Sequence, residues 1–206
     1  MTRVVAYVDG FNLYFGLRAK GWRKYYWLDL VALSERLLKP GQHLEAVHYF
    51  TARIRATGKN GDDLRRQTTY LEALETLPGL TLHFGHYLDK PRQCRNCGAQ
   101  WMDYEEKMTD VNIAVQMLAD AFEGRFDTAL LVSADSDLTT PVSALRARFP
   151  QNRIIIALPP ERRSHQLTKA ANGYFVIGQD SLRTSQLPER IELPRGYVLQ
   201  RPTEWR

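Results

Sequence analysis

Short apolar runs at 3–8, 45–52, 80–88, 128–132, 152–158 and 174–177 have the length and side-chain content of β-strands. Between them, 13–17, 28–38, 62–77, 105–121, 142–149 and 162–171 read as helices. Breakers punctuate the series: Pro40-Gly41 and Pro78-Gly79 stop helices, and Pro159-Pro160 ends a strand. Strands and helices alternate throughout, which is the pattern of an α/β protein on a mainly parallel sheet. A long stretch at 89–107 reads as a loop. After 178 the pattern thins into an arm, 179–206, rich in Arg and Pro with scattered apolar residues. It is expected to lie over this chain or a neighbour.

Two of the strands run into carboxylates. The apolar segment from Thr128 is followed by Ser133, Asp135, Ser136 and Asp137, with Pro141 placed for a first helical turn. The first strand ends in Asp9, then Gly10 for a tight turn and Asn12 as the expected helix cap. In an open α/β sheet the carboxyl edge of the strands is where ligands bind. A single aspartate there caps a helix. Several together repel, unless one stays protonated or a cation neutralises them.

A further carboxylate is expected from a helix. Asp110 aligns with Ile113, Ala114 and Met117 at helical spacing, which places a charge on or beside the face that packs on the sheet. Lys107 can neutralise it, or serve as a substrate contact. Otherwise Asp110 faces Asp9 and Asp135 as a metal ligand, with Glu106 one helical turn earlier and Asp103 and Glu105 as weaker candidates. A divalent cation held by oxygen ligands accounts for such a set.

The stretches Val8-Asp-Gly-Phe-Asn12, Lys107-Met-Thr-Asp-Val111 and Val132-Ser-Ala-Asp-Ser-Asp-Leu138 resemble, in order and spacing, the signature blocks of the NYN domain family, a branch of the PIN-like nucleases. The resemblance implies a three-layer α/β/α fold with a central mainly parallel sheet over 1–178. It also implies acidic residues that bind Mg²⁺ or Mn²⁺ and cleave RNA. Carried over by position, these are Asp9, Asp110, Asp135 and Asp137, with Asn12 supporting. Met108 and Ala134 depart from the family pattern, standing where glycine is frequent.

Composition adjusts this picture modestly. The chain of 206 residues fits one domain with an elaborated end. Its net charge of +5 favours a polyanionic partner, and the positive charge must lie outside an acidic site. The phosphate-contact candidates are Arg53, Arg55 and Lys59, which follow a strand end, and then Lys20, Arg23 and Lys24 in a basic, aromatic loop. No apolar run reaches membrane-span length, and the first residues enter a strand rather than a leader, so a cytoplasmic protein is expected. RNA, single-stranded or structured, is the expected partner, and a second copy of the chain is a candidate partner too.

Cys94 and Cys97, with Gly98, form half of a zinc-knuckle signature, but tetrahedral zinc needs four ligands. His83 and His86 would point to opposite faces of a strand. Free thiols are the first expectation, then zinc shared between two chains, then redox chemistry. Neither a dinucleotide fingerprint nor a Walker motif occurs, and Phe11 replaces the second acid of an aspartyl phosphatase. The competing reading is a PIN-like module that binds RNA or protein without cutting.

Overall fold

The structure, a computed structural model, describes residues 1–54 and 60–206. In chain order it comprises β1 (Thr2–Asp9), α1 (Gly10–Ala19), α2 (Leu30–Arg36), β2 (Gln42–Thr51), α3 (Gly61–Glu75), β3 (Leu80–Phe84), β4 (His86–Gln93) and β5 (Gln100–Lys107). There follow α4 (Thr109–Phe122), β6 (Thr128–Val132), α5 (Thr139–Arg148), β7 (Arg153–Leu158), α6 (His165–Ala170), β8 (Gly173–Val176), α7 (Gln179–Thr184), β9 (Arg190–Glu192) and β10 (Val198–Gln200).

Six strands form one parallel sheet in the order β3-β2-β1-β6-β7-β8. Alternation along β1 divides the core between its faces: Val4, Ala6 and Val8 pack on one side, Val5 and Tyr7 on the other. The first side is covered by Leu13 and Leu17 of α1, Leu30 and Leu33 of α2, and Leu71 and Leu74 of α3. The second is covered by Ile113 and Met117 of α4, Val142 and Leu145 of α5, and Leu167 of α6. The protein is therefore a three-layer α/β/α sandwich with a central parallel sheet.

The strand order reverses between β1 and β6, which pair directly, Val8 opposite Val132. In open α/β sheets such a reversal opens a crevice at the carboxyl ends of the strands, because the following helices leave to opposite faces. Asp9 and Asp135 flank that crevice.

Three expectations require correction. The stretch 89–107 is an antiparallel hairpin, β4 paired with β5, rather than a loop. Gly85 separates β3 from β4, so the strand expected over 80–88 is two strands. Because β5 runs to Lys107, Glu105 and Glu106 belong to a strand, and α4 begins only at Thr109; Glu106 is not a helical turn before Asp110.

The tail after β8 packs on its own chain. Trp205 is buried against Tyr26, Trp27 and Tyr70. Trp27 Nε1 donates to the Pro188 carbonyl at 2.8 Å, and Arg66 pairs with Glu204 at 2.9 Å. Among the described residues no helix is long and apolar enough to cross a membrane.

Candidate metal centre

Asp9 is the last residue of β1 and almost wholly buried. One carboxylate oxygen accepts from the Asn12 backbone N–H at 2.9 Å, which makes Asp9, not Asn12, the cap of α1. The cap falls there because Asp9 keeps an extended backbone while Gly10 is already helical. The other oxygen accepts from Asn12 Nδ2 at 2.8 Å and Ser133 Oγ at 2.8 Å. Burial raises the Asp9 pKa and the neighbouring Asp135 charge adds to the rise, against these hydrogen bonds.

Gly10 is required by contact rather than by its dihedral angles. A Cβ there would lie 2.7 Å from the Phe50 carbonyl oxygen and 2.7 Å from the Tyr49 hydroxyl. Burial pushes the Tyr49 hydroxyl up to about 12, with the Asp9 charge contributing, so this phenol lies within the electrostatic reach of Asp9.

Asn12 ties the first strand end to two others. Its Oδ1 accepts from the Ala134 N–H at 3.3 Å and from Arg162 Nε at 3.1 Å. Ser133 Oγ, while donating to Asp9, accepts from the Asp135 N–H at 3.0 Å. Asp135 in turn accepts from the Asp137 N–H at 3.0 Å and caps the short turn that leads into α5. A continuous polar chain thus fixes the loop after β6 against the loop after β1.

Asp110 arrives from the other layer, in the first turn of α4, where the helix dipole favours a carboxylate. The residue just before α4, Met108, has φ of 80°, a left-handed conformation that glycine adopts far more readily. This explains the frequent glycine in the family pattern. Asp110, Asp135 and Asp137 converge, each offering an oxygen within 4.8 Å of the others. Asp135 and Asp110 are half-buried and Asp137 is exposed, so the group opens to solvent. Three hard oxygen donors with an open side suit Mg²⁺ or Mn²⁺, which keep water ligands. Asp9 lies outside this trio, with its oxygens engaged by Asn12 and Ser133.

The basic candidates are scattered. Arg53 follows β2 as expected, but its guanidinium lies over the Phe84 ring, 4.6 Å from the centroid, and 3.8 Å from Glu75. Arg55 and Lys59 lie outside the described residues, as do the side chains of Asp103, Glu105 and Glu106. Lys107 closes β5. Lys20 pairs with Glu161 at 2.9 Å, and Lys24 stands over Tyr25. Arg162, which sequence reasoning did not single out, is the cation in direct contact with the Asn12 hub. Its only signal was position: it follows the buried strand β7 and the Pro159-Pro160 stop, at the active edge.

Cys94 and Cys97 are free thiols in the turn of the β4–β5 hairpin. Backbone N–H groups of Cys97 and Asn96 lower the Cys94 pKa. His83 is turned away from them, bonded to His48 at 2.9 Å and stacked on Phe50. It does not complete a zinc site with this hairpin.

A parallel sheet whose order reverses at an aspartate cluster defines a doubly wound α/β domain with an acidic crevice at its switch point. The NYN domain model matches residues 3–181, and the chain belongs to that family. It is also 29% identical to 6-hydroxy-3-succinoylpyridine 3-monooxygenase HspA of Pseudomonas putida (strain DSM 28022 / S16), over 98% of this chain and 73% of that protein. Among solved structures, a protein of unknown function from Vibrio parahaemolyticus RIMD 2210633 superimposes with a TM-score of 0.55 at 18% identity. The match covers 87% of this chain and 94% of the Vibrio protein, and it shows a shared fold.

Proposed function

We propose that the protein is a metal-dependent ribonuclease that hydrolyses phosphodiester bonds of RNA at the β1/β6 crevice. The observation that carries this reading is the convergence of Asp110, Asp135 and Asp137 from two layers of the fold onto one open point. These three are gathered at the edge where ligands enter. They would hold the ion, Mg²⁺ or Mn²⁺. When bound, such an ion neutralises charge on a phosphate and makes a water more acidic.

The chain's own groups do the rest. Asp9, buried at the end of β1, keeps Asn12 and Ser133 in place. Asn12 and Ser133 fix the Asp135 loop, so the acids need little rearrangement when the ion arrives. Arg162 supplies a guanidinium beside the acidic floor, placed to balance charge on a phosphate. The reading also gives the protein RNA as partner and a role independent of membranes.

The test is cleavage of single-stranded RNA with Mg²⁺ or Mn²⁺ by wild type, Asp110→Asn and Asp135→Asn. Loss of cleavage in both variants, with unchanged circular dichroism, is expected. Equal cleavage by all three proteins excludes this centre; no cleavage even by wild type favours the non-catalytic binding module.

A second reading follows from the named relative together with an aromatic-lined cavity beside Gly10. On that reading the substrate is a free heteroaromatic acid that is hydroxylated. Hydroxylation of 6-hydroxy-3-succinoylpyridine, with consumption of O₂ and of a two-electron donor supplied in the assay, tests it directly.

A further inference from the structure

One cavity lined by described residues does not belong to the acidic centre. It is a cavity of about 290 Å³ between α1 and α3, on the face of the sheet opposite α4. Ligand sites begin at roughly 300 Å³, so it has room for one ring system and not for a base pair. Tyr14, Tyr26, Tyr49, Tyr70 and Trp205 wall it.

Three properties say what it takes. First, the aromatic rings form a connected series. Phe11 and Phe15 are 6.4 Å apart, Phe15 and Tyr14 5.3 Å, Tyr14 and Tyr26 5.1 Å, and Tyr26 and Trp205 5.7 Å. The series starts two residues after Asp9 and runs into the cavity. Tyr14 and Phe15 are 42% and 43% exposed, so their rings are open to solvent.

Second, three polar side chains of the interior are already used by the chain. Gln67 bonds the backbone of Ile54 and Ala52, Tyr70 donates to the Leu28 carbonyl, and Arg66 pairs with Asp63 and Glu204. The interior therefore offers ring faces for stacking and little hydrogen-bond readout. Third, Arg18 and Arg23 line the same cavity, both are exposed, and neither guanidinium has an ion pair or side-chain hydrogen bond among the described residues. Their field acts on Tyr26, whose pKa burial raises and these two cations pull back.

We propose that this cavity is a nucleotide subsite, taking one unpaired base of the RNA strand, with the adjoining phosphate held by Arg18 and Arg23. The inference rests on the ribonuclease reading for the identity of the strand. It adds that the substrate is single-stranded at this position, because a paired base cannot enter, and that recognition is nearly indifferent to the base. Stacking on aromatic rings tolerates every base, and guanidinium–phosphate contacts carry no sequence information. The same chemistry, a planar heteroaromatic ring with an anionic group, describes a free heteroaromatic acid, so the experiment separates the two sources.

Full-length protein is titrated calorimetrically with uridine and adenosine 5′-monophosphates and with nicotinate, in EDTA, so that no cleavage intervenes. Both nucleotides should bind saturably and within a few-fold of each other, and more tightly than nicotinate. Arg18→Ala/Arg23→Ala should weaken both about tenfold. It should also reduce the log–log salt slope for a short single-stranded RNA by roughly 0.7 per lost phosphate contact. Tyr14→Ala, at a solvent-exposed ring, provides a second variant should the first fold poorly, and it should weaken the nucleotides without changing the slope. Tighter binding of nicotinate, no saturation by either nucleotide, or wild-type affinity in both variants overturns the proposal. Nucleotide binding without RNA cleavage by wild type overturns the nuclease reading and keeps the subsite; cleavage without nucleotide binding does the reverse.

Discussion

Arg162 Nε donates to Asn12 Oδ1 across 3.1 Å, joining residues 150 positions apart. The bond brings the end of β7 to the end of β1 and sets a positive charge beside clustered acids. If Arg162 balances charge on the reacting phosphate, Arg162→Ala should lower kcat for RNA cleavage about 100-fold. Arg162→Lys should recover only part of it, since an ammonium cannot reproduce the planar guanidinium. Single-turnover cleavage measures both, and an unchanged melting temperature excludes misfolding as the cause.

Replacing aspartate by asparagine should have opposite effects on stability at two places. At Asp9 an amide would set its NH2 against a donor in either orientation, the Asn12 backbone N–H at one oxygen position or Asn12 Nδ2 and Ser133 Oγ at the other. Asp9→Asn should therefore destabilise by about 1–3 kcal/mol. Asp137→Asn, at the exposed side of the trio, relieves like-charge repulsion and should raise the melting temperature slightly in EDTA. It should also reduce the increment that Mn²⁺ gives wild type. Thermal melts with and without Mn²⁺ check all of this.

Met108 offers a stabilising substitution. Its φ of 80° costs about 1–2 kcal/mol for a side-chain-bearing residue, and glycine's larger unfolded-state entropy returns part of that. Met108→Gly should stabilise by roughly 0.5–1 kcal/mol, measured by urea denaturation, and leave α4 and Asp110 in place.

Stability should fall as the medium is acidified through the histidine range. Burial lowers the His83 pKa, and the adjacent His48 lowers it further. The unfolded chain then binds the proton more readily than the folded one. This contribution is complete above the unfolded value, near 6.5, and declines as pH falls below it. Asp120 acts at lower pH: burial opposes its ionisation, but hydrogen bonds from His48 and Tyr7 outweigh this and lower its pKa. Its contribution is present above the ordinary aspartate value and is lost as pH falls through the lowered one. His83→Gln should flatten the limb between about pH 7 and 5 in denaturation midpoints, leaving the more acidic limb.

What was legible in the chain follows from how locally each feature is determined. Asp9 ends a buried strand and Asp135 stands in the loop just after one, and such places can be read from apolar runs next to cap residues. Asp110 announced itself as a charge in register with Ile113 and Met117. The β4–β5 hairpin was hidden because it stands apart from the main sheet, so no core imposes a clean alternation on it. Leu88 and Trp101 remain 49% and 52% exposed there. Arg162 was not singled out, and Ser133 was read only as a helix-cap residue, because their roles depend on contacts across most of the chain. The aromatic cavity was hidden for the same reason: α1, α3 and the tail each supply a wall, and no segment shows the enclosure.

Those long-range contacts also impose an order on synthesis. Ser133 reaches Asp9 over 124 positions, and Arg162 reaches Asn12 over 150. Chains lengthen at roughly 5–20 residues per second, so several seconds separate the emergence of Asp9 from that of its last partner. A nascent polypeptide at the ribosome carries Asp9 and Asn12 but not the trio, the arginine or the Trp205 wall. Until Arg162 has emerged, the growing chain therefore carries no assembled centre.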